Sequence, residues 1–432
     1  AIGAGALATH NLTDNSSGSN VAVGYAAGTA VTTGVKNTLL GARTGTALTA
    51  GSENTVVGRD ALFTDTLGSK SVAIGQDTLA SQNFTTATDT YNTAVGYGAG
   101  LAVTTGISNV LLGGLAGDAL TDADQNVAVG KNAIGSDTLG SQTTAIGHGA
   151  LAAQNFTTAT SSYNVAVGYH AGLSVTTGAY NTFLGGQAGD GSTGGSNNVA
   201  VGYNTLSANA DTNFNVAIGS NAMVAQNEAG RNVAVGYNAL TADTKGGRNV
   251  AVGFGTLQTS NQTTATTAYN VAVGYDAGAA VTTGIENTFI GGLAGDALTA
   301  VFYNVALGAK ALSADTLGSR STAIGRAALS AQNFTTATDT YNTAVGFNAG
   351  ALVTTGVKNT LLGGVAGDAL TDADHNVAMG FGALSSDTLG SRSVALGDSA
   401  LTTQNFTTAT EQVAQSPRAF RTLSSVVLQV MV

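Results

Sequence analysis

The sequence predicts an all-β protein, a repetitive parallel β-solenoid of about 23 coils that are 17 or 21 residues long. Three observations predict this fold. The phrase Asn-Val-Ala-Val-Gly at Asn20–Gly24 returns with small changes along most of the chain. Its closing glycine, here called the anchor glycine, occurs 23 times, and 17 of the 22 intervals span 17 residues while five span 21. A constant short period is typical of stacked structural units.

Each coil has room for two short strands and two turns, whereas a strand with a crossover helix needs about 30 residues. The apolar run of the phrase predicts the first strand, which is close to the common strand length. The anchor glycine permits a turn with positive φ. The segment after it, as in Ala61-Leu62 and Ala239-Leu240, is predicted to be a second strand or extended piece.

Both faces of the predicted strand are apolar. Val, Ile, Leu or Thr stands one and three residues before the anchor glycine, and Ala, Leu, Val or Phe stands two residues before it. Parallel strands that are apolar on both faces are normally covered on both. The interior of the coil can cover one face, so a second chain is predicted on the other. We therefore expect a homo-oligomer, with cyclic symmetry as the default.

An asparagine stands four residues before the anchor glycine in 18 of 22 copies. Stacked asparagines can form a hydrogen-bonded ladder, or they can simply favour the adjacent turn; both interpretations stay open. The copies that differ follow an Asp-Thr-Leu-Gly-Ser phrase or a close variant, and they are Ser71, Thr143, Ser321 and Ser393. The predicted structural ladder includes Asn20, Asn37, Asn54, Asn92 and Asn126 with Gly24, Gly41, Gly58, Gly96 and Gly130.

The composition excludes several classes of protein. Of 432 residues, 60 are Gly, one is Pro and none is Cys or Trp, with 9% charged and 43% hydrophobic. The absence of Cys excludes disulfides and thiolate metal sites. A net charge of −10 offers no basic stripe for nucleic acid, and no apolar run is long enough to cross a membrane as a helix. Because the chain starts inside the repeat, we expect it to be a fragment.

No catalytic residue and no cofactor are predicted. The four histidines, His10, His148, His170 and His375, occupy different places in the repeat, so no pair is expected to meet. No nucleophile turn with its partners can be assembled, and the Gly-rich phrases open no helix, so dinucleotide binding is not indicated. An enzyme such as a glycan-cleaving tailspike should interrupt the repeat at its site.

The one metal candidate is an acidic segment, Gly117–Asn126. Its alternating oxygens, from Asp118, Asp122, Asp124 and Asn126, are of the type that Ca²⁺ prefers. The glycine and late glutamate of an EF-hand loop are missing. An acidic surface turn is therefore the favoured interpretation, and no metal is predicted.

Insertions in the long coils carry Asn-Phe-Thr, as at Asn83–Thr85, which fits the N-glycosylation pattern. These loops could present Phe and Tyr as a contact surface. Alternatively, Phe84 and Tyr91 pack back onto the solenoid or a neighbouring chain, which is favoured because exposed aromatic residues promote aggregation. Val31–Gly34, with two threonines, raises ice binding, but that phrase recurs only about every fourth coil.

The repeated phrases resemble the head repeats of trimeric autotransporter adhesins, the YadA-like heads, and similar runs in phage and giant-virus fibre proteins. The resemblance rests on Asn20–Gly24, Asn92–Gly96 and Ser71–Gly75 and covers roughly residues 1–410. It implies a left-handed β-roll, three chains side by side, and an extracellular location on a virion or cell surface.

The sequence departs from the adhesin pattern in two ways. Its coils are longer than those of adhesin heads, and no heptads of a coiled-coil stalk and no membrane anchor appear. These differences favour a phage-type tail-fibre shaft, a rigid oligomeric spacer for attachment. The alternative is an adhesin head that binds host matrix or glycans through its coil sides. Residues 411–432, which contain Pro417, are predicted to be an atypical tail or cap.

Overall fold

A computed structural model describes residues 1–11 and 18–411, and it describes side chains as far as residue 409. The chain divides into two compact units, Ala1–Gly246 and Gly247–Val432. In the described ranges each unit is a parallel β-solenoid without a helix, which confirms the predicted fold class. The predicted tail, 411–432, lies outside these ranges apart from the backbone of residue 411.

The chain contains 22 strands of three residues, one per coil, of which 13 lie in the first unit and nine in the second. Those of the first unit are β1 Val21–Val23, β2 Thr38–Leu40, β3 Thr55–Val57, β5 Val72–Ile74, β7 Thr93–Val95, β8 Val110–Leu112, β9 Val127–Val129, β11 Thr144–Ile146, β13 Val165–Val167, β14 Thr182–Leu184, β15 Val199–Val201, β16 Val216–Ile218 and β17 Val233–Val235. Those of the second are β19 Val250–Val252, β21 Val271–Val273, β22 Thr288–Ile290, β23 Val305–Leu307, β25 Thr322–Ile324, β27 Thr343–Val345, β28 Thr360–Leu362, β29 Val377–Met379 and β31 Val394–Leu396.

Ten further strands of two residues belong to the 21-residue coils and their like. They are β4 Gly68–Ser69, β6 Thr88–Asp89, β10 Gly140–Ser141, β12 Thr160–Ser161, β18 Gly246–Gly247, β20 Thr266–Thr267, β24 Gly318–Ser319, β26 Thr338–Asp339, β30 Gly390–Ser391 and β32 Thr410–Glu411. The pairs are parallel, as in β4 with β6 and β24 with β26. The copy that ends at Gly3 adds only an isolated bridge from Ile2 to Val23.

The register of the sheet is the period of the sequence. Each three-residue strand lies parallel to the equivalent strand of the next coil, so that Val21 pairs with Thr38 and Ala22 with Leu39. Equivalent positions therefore stack directly on one another. The middle residue of every three-residue strand is buried, and its two neighbours are not.

Stacking explains why the anchor position is glycine. Gly130 has a φ of +129°, and a Cβ placed there would lie 2.5 Å from the carbonyl oxygen of Gly147 in the next coil. Any side chain would thus meet the backbone of its neighbour, in a region of φ that L-residues avoid.

Large buried residues sit where neighbouring coils carry glycine. Phe183 and Phe289 are the largest fully buried side chains. A Cβ at Gly189 would lie 2.6 Å from the Phe183 ring, and one at Gly172 would lie 2.9 Å from it. Other coils place Ala at the middle strand position and Leu, such as Leu151, at the equivalent of Gly172. The interior thus keeps its packing density by exchanging volume between the two positions.

The predicted second strand after the anchor glycine is wrong. Ala61-Leu62 and Ala239-Leu240 lie in a continuous run of turns, and Leu62 and Leu240 have φ of +48° and +54°. That left-handed conformation cannot belong to a strand. The chain needs it to reverse direction within one short coil.

Candidate interaction surface

The outward side of the strands is apolar along each unit. We call the first and last residues of the 22 three-residue strands the strand face. Every last residue is Val, Ile, Leu or Met, and every first residue is Val or Thr. None of these side chains is buried, and the exposed fraction reaches 41% at Leu307.

Such a face is unusual for an isolated chain. Soluble monomers rarely expose contiguous apolar patches above a few hundred Å², yet the strand face has no charged residue in 13 successive coils of the first unit or in nine of the second. Single exposed apolar residues need no explanation, but an uninterrupted row of them is typical of an interaction surface.

An aromatic row borders the strand face. The residue directly after the anchor glycine is Tyr or Phe in nine coils, all of them exposed: Tyr25, Tyr97, Tyr169, Tyr203, Tyr237, Phe254, Tyr275, Phe347 and Phe381. Phe254 and Tyr275, in adjacent coils, stack with their ring centroids 5.5 Å apart. Aromatic residues are enriched at protein interfaces, so this row widens the apolar surface.

The predicted ladder asparagines are buried and bonded between coils. The Asn37 side-chain oxygen accepts from the Asn54 N–H at 3.0 Å, and its amide donates to the Gly51 carbonyl at 2.9 Å. Asn126 makes the equivalent bonds to the Thr143 N–H and the Gly140 carbonyl. Asn20 and Asn92 likewise accept from the next coil. These bonds join side chain to backbone; direct bonds between asparagine side chains occur in only some coils, as from Asn54 to Asn37 at 3.1 Å.

A second buried polar layer was not predicted. It forms in the inserted coils, where the Asp315 carboxylate accepts from the backbone N–H groups of Gly318 and Phe334 at 3.0 and 3.1 Å and from the Gln332 amide at 2.5 Å. Gln332 also donates to Ser321 and accepts from Asn342.

The same network recurs around three further aspartates, Asp65, Asp137 and Asp387. Its signal in the sequence is the joint occurrence of Asp-Thr-Leu-Gly-Ser, a Ser or Thr in place of the ladder asparagine, and the Gln that opens each insertion.

The four calcium candidates are held separately. Asp122 accepts from the Thr105 hydroxyl at 2.5 Å, Asp124 accepts from the Ile107 N–H at 2.8 Å, and Asn126 lies in the buried ladder. Asp118 lines a cavity of about 240 Å³ with Asn132 and Ser136. In the described part of the chain, no three His, Cys, Asp or Glu residues are grouped so that they could hold a metal ion.

Asp118 is one of four aspartates at the same place in the coil, with Asp190, Asp296 and Asp368. Partial burial raises the pKa of each carboxyl above its ordinary value, because desolvation disfavours the charged form. For Asp190, the nearby His170 partly offsets this rise.

The expectation that no two histidines meet is wrong. The ring centroids of His148 and His170 lie 5.4 Å apart, and the Tyr169 ring stacks on both. The two histidines follow successive anchor glycines by one and two residues, so the register of the stack brings them together. Two rings without a third ligand give no metal site.

The insertion loops bury one aromatic residue and expose the other. Phe84 and its equivalents Phe156 and Phe334 are 6–7% exposed, as the favoured interpretation predicted. Tyr91 is 56% exposed instead, and the Lys70 ammonium lies 5.1 Å from its ring centroid. The Asn-Phe-Thr triplets thus have their middle residue buried.

No protein-family model matches the chain, and no curated protein matches it. Among the residues that the structure describes, no helix is long and apolar enough to span a membrane.

Proposed function

We propose that this chain is a structural protein, a rigid spacer that assembles into a side-by-side homo-oligomer, with three chains as the resemblance implies. The strand face carries the proposal. A parallel strand with two apolar faces needs a cover on each, and the interior of each coil supplies only one. Burying the second face against copies of the same chain satisfies it in every coil at once.

The spacer has no catalytic or cofactor role in this proposal. The repeat stays in register in both units, and the buried polar groups are bonded to neighbouring coils, as at Asn126 and Asp315. Coils bonded in this way make a stiff support. We place such a support outside the cell, on a virion or cell surface, by analogy with the fibre proteins that the phrases resemble.

The test is the molar mass of the chain by light scattering during size-exclusion chromatography. We expect a multiple of 42.3 kDa, with three chains as the leading value. The variant Val129→Asp places a charge in the middle of the strand face and should lower the mass to that of the monomer, because a carboxylate cannot be buried there unpaired.

Gln125→Asp is the matched control, since it adds the same charge at an exposed turn position of the same coil. A monomeric wild-type chain would overturn the proposal. An oligomer that tolerates Val129→Asp as well as Gln125→Asp would remove the strand face from the interface.

A second candidate function is attachment to host matrix or glycans through the coil sides. The observation in its favour is a row of exposed tyrosine and cationic side chains at the turn before each ladder position of the second unit.

A further inference from the structure

One turn position of the second unit carries a row of long side chains. It stands five residues before the anchor glycine, and we call its nine residues the turn row: Arg248, Tyr269, Glu286, Tyr303, Arg320, Tyr341, Lys358, His375 and Arg392. All nine are exposed. The row holds four of the six Lys and Arg residues between 247 and 411, against one carboxylate.

The backbone fixes the order of the row. The N–H of Arg320 donates to the carbonyl of the residue before Tyr303, and the N–H of His375 donates to the residue before Lys358. Each row residue therefore lies directly beside the one in the next coil. From Tyr303 to Arg392 an aromatic ring and a cation alternate in six successive coils. Cations thus recur every second coil, a distance of about 9 to 10 Å at the spacing of neighbouring strands.

The rings and cations already stack. The Arg320 guanidinium lies 5.2 Å from the Tyr303 ring centroid and 5.6 Å from that of Tyr341. Arg248 stacks on Tyr269 and donates to its hydroxyl at 2.6 Å. Stacking of this kind holds flat side chains in defined positions, which lowers the ordering cost of binding a ligand.

The backbone conformation is another unusual feature. All nine residues have φ between +50° and +64°. Gly and Asn fit this conformation most easily, yet neither occurs in the turn row. Long charged and aromatic side chains are therefore kept at a position that disfavours them. Sparsely populated conformations of this kind gather at functional sites.

We propose that the turn row binds a linear acidic polysaccharide in which a carboxylated or sulfated sugar alternates with a neutral one. The apolar face of a sugar ring packs on tyrosine, and the acidic group pairs with the cation of the next coil. One sugar unit is about as long as one coil is high, so an extended chain keeps this register over several coils.

Nearby carboxylates leave the cations available. Asp339 pairs with Arg320 at 2.9 Å, and both remain about half exposed. Asp372 and Asp374 accept hydrogen bonds from Thr355 and from the Val357 N–H in the preceding coil. Glu286 lies outside the alternating segment. The inference deepens the attachment function proposed above and needs no self-association, so mass and glycan binding can fail independently.

The experiment is calorimetric titration of the whole chain with hyaluronan oligosaccharides, in which a carboxylated sugar alternates with a neutral one. We expect binding that weakens with salt and no binding of dextran, which is uncharged. The combined variant Arg320→Gln, Lys358→Gln, Arg392→Gln should weaken binding at least tenfold. The matched control, Lys131→Gln, Lys310→Gln, Arg326→Gln, removes as many charges elsewhere and should keep the affinity.

A second variant, Tyr303→Ala with Tyr341→Ala, tests the rings without a change in charge and should also weaken binding. Circular dichroism establishes that each variant is folded. Absence of hyaluronan binding by the wild type, or equal loss in the row variant and its control, would overturn the proposal. So would equal affinity for oligothymidylate, because the row would then read charge alone and its partner would be nucleic acid.

Discussion

Two kinds of coil bury different polar groups at the same level of the solenoid. Most coils place an asparagine four residues before the anchor glycine, and its amide satisfies one N–H and one carbonyl of neighbouring turns. The inserted coils place Ser or Thr there and add a buried aspartate with three N–H donors, as at Asp315. The first kind is neutral and short; the second is charged and connects five side chains.

The difference teaches how an insertion is accommodated. Four extra residues carry extra backbone N–H groups into the interior, where they must be paired. A carboxylate accepts several such bonds at once, and charged acceptors form stronger bonds than neutral ones. The aspartate thus closes the longer coil without a cation, and its acceptor-only chemistry fixes which way the Gln332 amide points.

The largest effect is expected from Asp315→Ala. It leaves the N–H groups of Gly318 and Phe334 and the Gln332 amide without their acceptor, which should cost about 3 kcal/mol or more at 1–3 kcal/mol per unpaired group. Amide hydrogen exchange of Gly318 and Phe334 measures the local loss. Asp315→Asn keeps one acceptor oxygen and should lie between. If the alanine variant is as stable as the asparagine variant, the carboxylate does not hold this coil.

A smaller effect is expected from Asn126→Ala in the neutral ladder. It leaves the Thr143 N–H and the Gly140 carbonyl unpaired, at a cost of about 2 kcal/mol. Denaturation by guanidinium, followed by circular dichroism, measures the change. Gln125→Ala is the control, because Gln125 is exposed in the same coil. Equal stability of the two variants would mean that the ladder contributes nothing.

The smallest effect is expected at aspartates outside the network. Asp296 and Asp368 each have one buried oxygen without a hydrogen-bond partner among the described residues, and burial raises their pKa. A raised pKa in the folded state gives stability that is full at low pH and is lost as pH rises through it.

Asp296→Asn with Asp368→Asn should therefore raise the unfolding temperature slightly at neutral pH. The gain should shrink as pH falls to the ordinary range of aspartate. A gain that does not depend on pH would contradict the assigned cause.

The sequence by itself determined the fold class, the strand positions and the register of the sheet. It could do so because the repeat has one residue pattern per coil, and the anchor glycine marks where each coil closes. The alternation around Ala128, with apolar residues on both sides, indicated a strand with two apolar faces. That Ala128 points inward while Val127 and Val129 point outward followed only from the path of the coil.

The tertiary structure decided which distant residues become neighbours. His148 and His170, Asp315 and Gln332, and the rings and cations of the turn row are 17 to 22 residues apart or more, and no local pattern joins them. The left-handed turns after each anchor glycine were missed for the same reason, since Leu62 adopts that backbone against its own preference. Propensity acts within a few residues, whereas contacts in a stack are set by the next coil.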